Sequence, residues 1–214
     1  MFQLILKDIL LLKKIFLFAA AYIIVMMFLK EDSAVVFFVS VIVVTYMLIL
    51  SACAHDDKNK ADILLNSFPL TRRTVVMARY CSIFVFSVIA IMYYLVIAHI
   101  LQMTGLSAQA HSVSLENVAA ALCAVIFINS VYFPVFFKFG YIHSRLVSFI
   151  LFFGTFALAP AFFEQADHPL VRDVIHYFPH LSEGKGMAIV AAVMMFLLAV
   201  SFFFSLQFYR KREF

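Results

Sequence analysis

Apolar residues run along this chain in blocks that a soluble fold would interrupt with polar faces. Six stretches contain no Asp, Glu, Lys or Arg: Ile15–Leu29, Ser33–Ala54, Tyr80–Leu115, Asn117–Phe137, Leu146–Phe163 and Met187–Tyr209. Roughly 20 apolar residues in a helix cross the hydrocarbon core of a bilayer. The first block is short, but Lys13, Lys14 and Lys30 flank it and can snorkel to the headgroups. The third is too long for one crossing. Its end, from Thr104-Gly105-Leu106-Ser107 through Ser114, is small and polar, so the helix is expected to stop near Gln102, with Gly105 as the stop signal. The pattern predicts an all-α, polytopic membrane protein of one domain over residues 1–214. Its six transmembrane helices are expected at about 15–30, 33–54, 75–102, 117–138, 145–163 and 187–209. The blocks are continuous rather than alternating, which argues against a β-barrel.

Composition agrees, with 65% hydrophobic and 13% charged residues, where a soluble domain carries about 25% charged. The placement of charge then orients the helices. With the N-terminus inside, the cytoplasmic side collects Lys7, Lys13, Lys14, Lys58, Lys60, Arg72, Arg73, Arg79, Lys138, Arg145, Arg210, Lys211 and Arg212. Of the 16 basic residues only Lys30, Arg172 and Lys185 then lie outside, together with Glu31, Asp32, Glu116, Glu164, Asp167, Asp173 and Glu183. This asymmetry predicts both termini in the cytoplasm. The net charge of +4 therefore reads as topology, and no nucleic-acid partner is implied. Lys13-Lys14 before an apolar run superficially resembles a signal peptide, but no small-residue cleavage site follows, so the first span is expected to be retained.

Three connecting segments carry information. In Met1–Lys14, apolar Phe2, Leu4, Ile5, Ile9 and Leu12 alternate with Gln3, Lys7, Asp8, Lys13 and Lys14. This suits a helix lying in the inner interface, with a plain extension of the first span as the alternative. The segment 55–74 opens with His55-Asp56-Asp57-Lys58-Asn59-Lys60 as a charged helical extension that must end before Pro69. Thr71 is expected to cap the next helix, with Leu70 and Val75 at the staple positions. Arg72 and Arg73 then occupy the first turn, where the helix dipole disfavours positive charge. Something else must hold them there, either anionic headgroups or an acidic partner surface. Ile63, Leu64, Leu65 and Phe68 are apolar in the same charged loop, the signature of a docking patch. In the outer segment 164–186, Leu170, Val171, Val174, Ile175 and Phe178 recur at helical spacing after Pro169, predicting a short amphipathic or re-entrant helix.

Much chemistry is missing. The five glycines form no phosphate-binding loop, so the chain cannot bind ATP that way. The spans hold no internal carboxylate, lysine or arginine of the kind an ion-coupled carrier needs. Cys53, Cys81 and Cys123 have no CxxC spacing, and His168, His176 and His180 lack both a cysteine and helical register across Pro179, so no metal is expected. No protease or lipid-hydrolase constellation is present. Of 27 phenylalanines, Phe133, Phe136, Phe137, Phe152, Phe153, Phe156, Phe162 and Phe163 crowd the fourth and fifth spans. Asn129 and Pro134 mark a polar, kinked stretch in the fourth.

The run from Asp56 to Tyr80, through Asp56-Asp57-Lys58-Asn59-Lys60, Leu64-Leu65-Asn66-Ser67-Phe68-Pro69-Leu70-Thr71-Arg72-Arg73 and Val75-Val76-Met77-Ala78-Arg79-Tyr80, resembles a signature of bacterial type-2 ATP-binding-cassette exporter permeases. The likeness is to their small six-span Firmicutes group, which includes phenol-soluble-modulin exporter permeases. Phe68 stands where leucine is usual. The amphipathic N-terminus, the long last outer loop and the basic end Tyr209-Arg210-Lys211-Arg212 fit as well. The resemblance implies a homodimer or heterodimer of permeases in the bacterial cytoplasmic membrane, in contact with its lipid, with two cytoplasmic ATPase subunits that bind ATP and Mg. It implies no cofactor on this chain. It also implies that Asp56, Asp57, Lys58, Lys60, Ile63, Leu64, Leu65, Phe68, Pro69, Arg72 and Arg73 form the ATPase-coupling segment. The expected function is export of a hydrophobic or amphipathic peptide or lipid-like molecule. The alternative is a non-transporting immunity or sensor subunit that binds an antimicrobial peptide.

Overall fold

The computed structural model describes residues 2–28, 32–59, 71–104, 113–164 and 183–211. Among them the chain is wholly helical: α1 Phe2–Leu11, α2 Lys13–Phe28, α3 Ser33–Lys58, α4 Arg72–Met103, α5 Leu115–Phe139, α6 Tyr141–Glu164 and α7 Glu183–Lys211. Four helices, α3, α4, α5 and α7, are long and apolar enough to cross a membrane. The protein is therefore a polytopic membrane protein. At 16 residues, α2 is about 24 Å long, short of the ~30 Å hydrocarbon core.

Local sequence explains the boundaries. Thr71 caps α4, its side-chain oxygen accepting from the Thr74 backbone N–H at 3.3 Å, and Ser114 caps α5 through the Asn117 N–H at 3.2 Å. At the caps these hydroxyls satisfy backbone donors that have no partner within the helix. Between α5 and α6 the chain turns at Gly140, whose φ of 78° is reached at little cost only without a Cβ. Leu12 forms the turn between α1 and α2 and is completely buried. The α4 helix ends at Met103, one residue past Gln102, with Thr104 at its cap; Gly105 lies outside the described residues.

The core is built by α3, α4, α5 and α7, with α5 against α7 as the most extensive pairing. Helix α2 packs on α3 and α4, and α6 on α5 and α3. Aromatic residues fill the seams. Phe37 of α3 meets Tyr94 of α4 edge-on at 5.1 Å, and Phe137 of α5 meets Tyr209 of α7 at 5.3 Å. Such pairs contribute about 0.5–1.5 kcal/mol beyond their buried area. Tyr93 donates to the Phe16 carbonyl at 2.9 Å and fastens α2 to α4. The phenylalanine crowding divides accordingly. Phe133 and Phe137 are core, whereas Phe149, Phe153, Phe203 and Phe204 face outward.

Candidate functional site

Polar chemistry concentrates at one end of the bundle, where α1, the end of α3, the start of α4 and the end of α7 meet. Arg79 is its centre and is only 7% exposed. Its Nη1 donates to Asp8 Oδ2 at 2.9 Å, and its Nη2 pairs with Asp56 Oδ2. Lys7 completes the cluster, with Nζ 2.7 Å from Asp56 Oδ1 and 3.4 Å from Asp8 Oδ1. Two cations thus face two carboxylates, and the group is neutral as a whole. A planar guanidinium suits this bridging, since its separate N–H groups can engage two acceptors at once.

The helices explain why these residues converge. Asp8 lies one turn before buried Leu12 on the inward face of α1. The α3 helix continues through His55-Asp56-Asp57-Lys58, which carries Asp56 onto the inward face while Asp57 and Lys58 stay exposed. Arg79 sits on the same face of α4 as buried Val75 and Val76. The alternation in the N-terminal segment assigned Lys7 and Asp8 to one polar face; the structure divides them. Asp8 is 5% exposed, while Lys7 reaches over the rim. Arg79, counted among the cytoplasmic surface charges, is instead a buried connector.

Arg72 answers the question posed by two arginines in a first helical turn. Its Nη1 donates to the backbone carbonyls of Arg210 at 2.7 Å and Tyr209 at 3.3 Å. Unfavourable for its own helix, the charge caps the C-terminus of α7, where carbonyls lack intrahelical donors and the dipole is negative. Arg73 is exposed. Of the remaining residues expected in the coupling segment, Lys60, Ile63, Leu64, Leu65, Phe68 and Pro69 lie outside the described residues. So do the outer-segment residues Leu170, Val171, Val174, Ile175 and Phe178, and His168, His176 and His180. The helix ends on either side of residues 60–70 carry these contacts: Asp56 near the end of α3 joins the Arg79 cluster, and Arg72 at the start of α4 caps α7.

Sequence reasoning did not find Asp8 and Arg79 as partners. The available signal was an acid in register with Leu12 on an otherwise apolar helical face. Among the described residues, no three His, Cys, Asp or Glu side chains come together as a metal set.

These features define a multi-pass helical membrane protein with a charged cluster at one end of its helices. Residues 3–210 match the family described as ABC-2 family transporter protein. With nearly the whole chain matched, the protein belongs to that family: it is a membrane permease component and has no ATPase activity of its own. Permeases of this family generally pair with ATP-binding-cassette ATPase subunits. Neither the curated proteins nor the solved structures contain a match.

Proposed function

We propose that the chain is the transmembrane subunit of an ATP-driven exporter, crossing the bacterial cytoplasmic membrane six times with both termini inside. Here α2 and α6 supply the two crossings beyond the four long apolar helices. Energy arrives from cytoplasmic ATPase subunits docked on segment 55–74, and a second permease, identical or related, completes the translocation unit. The observation that carries this reading is the anchoring of that segment. Asp56 and Arg79 on one side and Arg72 on the other fasten its ends to α1, α4 and α7, so a force on residues 60–70 reaches three helices. Asp57, Lys58 and Arg73 are exposed beside it and are available to a partner surface. Asp56 and Arg72 also bond within the chain, at the ends of α3 and α4 that flank residues 60–70. Export of a hydrophobic or amphipathic peptide or lipid-like molecule is supported by the uncharged, phenylalanine-rich interior of the spans.

The test is a combined Leu64, Leu65 and Phe68 to Ala variant. Truncating apolar anchors at the centre of an interface costs over ~2 kcal/mol, about thirtyfold in binding. A cytoplasmic ATP-binding-cassette ATPase subunit that co-purifies with the unaltered chain should therefore no longer do so, while membrane abundance is unchanged. Undiminished co-purification and export would show that the segment does not couple the two subunits.

A further inference from the structure

Pro134 interrupts the hydrogen-bond ladder of α5. Lacking an N–H, it cannot donate to the carbonyl four residues earlier, that of Ser130. That carbonyl is buried with its residue, and a buried acceptor without a donor is costly in a region that water does not reach. The missing donor comes from another helix. Ser201 Oγ of α7 donates to the Ser130 carbonyl oxygen at 2.6 Å.

The hydroxyls around this contact form a chain whose direction follows from proton counting. Ser201 has one proton, and a carbonyl can only accept, so that proton is committed to Ser130. Tyr80 of α4 lies 2.6 Å from Ser201 Oγ and 2.7 Å from Ser205 Oγ. Tyr80 must therefore donate to Ser201, and Ser205 must donate to Tyr80. The sequence Ser205 to Tyr80 to Ser201 to the Ser130 carbonyl is fully paired, and each bond polarises the next. All four residues are buried. The Tyr80 ring is wedged between Phe133 of α5, the residue before the proline, at 5.0 Å and Phe202 of α7 at 5.4 Å.

We propose that the proline break in α5 is a hinge latched by Tyr80 and Ser201, making these two the positioning residues through which α4 and α7 set the angle of the last part of α5 during transport. The location supports this role. Tyr80 follows Arg79, the hub of the charged cluster, in the helix that leaves segment 60–70. Arg72, two turns earlier, holds the far end of α7. Helices α4 and α7 are thus joined at two levels, and the part of α5 beyond Pro134 rests on α7 through Phe137 and Tyr209. Displacement of α4 is delivered to α7 and the hinge together.

A double-mutant cycle on the full chain in nanodiscs tests this without any ATPase, so its result is separate from that of the exporter reading. Pro134→Ala restores an N–H for the Ser130 carbonyl and makes the donor from Ser201 redundant. Ser201→Ala should raise hydrogen exchange of amides 135–139 on the order of tenfold with Pro134 present, and several-fold less in the Pro134→Ala background. Ser201→Thr, which keeps the hydroxyl, should restore slow exchange. Hinge movement is read by spin labels at exposed positions 120 and 139 of α5, about 28 Å apart along a straight helix, with Cys53, Cys81 and Cys123 replaced by alanine. The distance distribution should broaden in Ser201→Ala and stay narrow when Pro134→Ala is added. Equal effects of Ser201→Ala in both backgrounds, or an unchanged distribution, would overturn the proposal. Should Pro134→Ala not fold, Tyr80→Phe decides. It breaks the same chain, so its combination with Ser201→Ala should match the larger single effect, and full additivity would refute the latch.

Discussion

Replacing Arg79 with alanine removes the centre of the charged cluster and leaves Asp8 and Asp56 facing each other with one partner between them. Their side chains are 7% and 15% exposed, so neither carboxylate can recover full hydration. Removing one member of a buried ion pair costs about 3–5 kcal/mol. The low end applies here, because Lys7 stays 2.7 Å from Asp56 and 3.4 Å from Asp8. That lysine is 39% exposed, so its contribution is screened and small. Helix α1 packs chiefly on α4 and α3, and its ion pairs among the described residues all lie in this cluster. The loss should therefore appear as local release of α1 rather than global unfolding. About 3 kcal/mol corresponds to a rise on the order of a hundredfold in the open population. Hydrogen exchange of amides 6–11 in nanodiscs measures it directly, with the core of α3 as internal control. Arg79→Lys should recover only part of the protection, since a single ammonium cannot bridge two carboxylates as a guanidinium does. Combining Asp8→Asn and Asp56→Asn with Arg79→Ala should recover more than Arg79→Ala alone, by removing the uncompensated charge. Unchanged exchange in α1 after Arg79→Ala would refute the claim that this cluster holds the helix.

Arg72→Ala should leave the Tyr209 and Arg210 carbonyls without their side-chain donor and fray the end of α7 by about 1 kcal/mol, seen as faster exchange at 206–211, whereas Arg73→Ala should not. For topology, cysteines at 58 or 212 should be shielded from an impermeant thiol reagent in intact cells and one at 173 should label; labelling at 58 would reverse the orientation.

The helices were legible because apolar runs and caps are local signals. Thr71 could be named as a cap from its place before Arg72, and Asn129 with Pro134 announced a polar break in α5. Helix α3 runs through Lys58, past the apolar block that ends at Ala54, as the charged helical extension expected to begin at His55. Charged residues do not stop a helix, and Asp56 gains partners by continuing it. What joins the helices was not legible. Arg79 and Asp8 are 71 residues apart, Tyr80 and Ser201 are 121, and Arg72 and Arg210 are 138. No single-sequence pattern pairs such positions. Asp8 and Arg79 looked like ordinary interfacial charges because periodicity reports which face a residue occupies, not what comes to meet it. The two arginines after Thr71 were correctly anomalous for their own helix. The resolution for Arg72, the carbonyl end of α7, required knowing where the last helix finishes.

We propose that this permease receives force from an ATPase through segment 60–70. Site-specific photo-crosslinking in intact cells tests it most directly, with the reactive residue placed at 64 or 68 and, as control, at exposed position 193 on α7. An adduct with a nucleotide-binding ATPase subunit is expected from 64 and 68 and none from 193. Absence of that adduct at both segment positions, in cells where the ATPase is present and membrane abundance is normal, would contradict it.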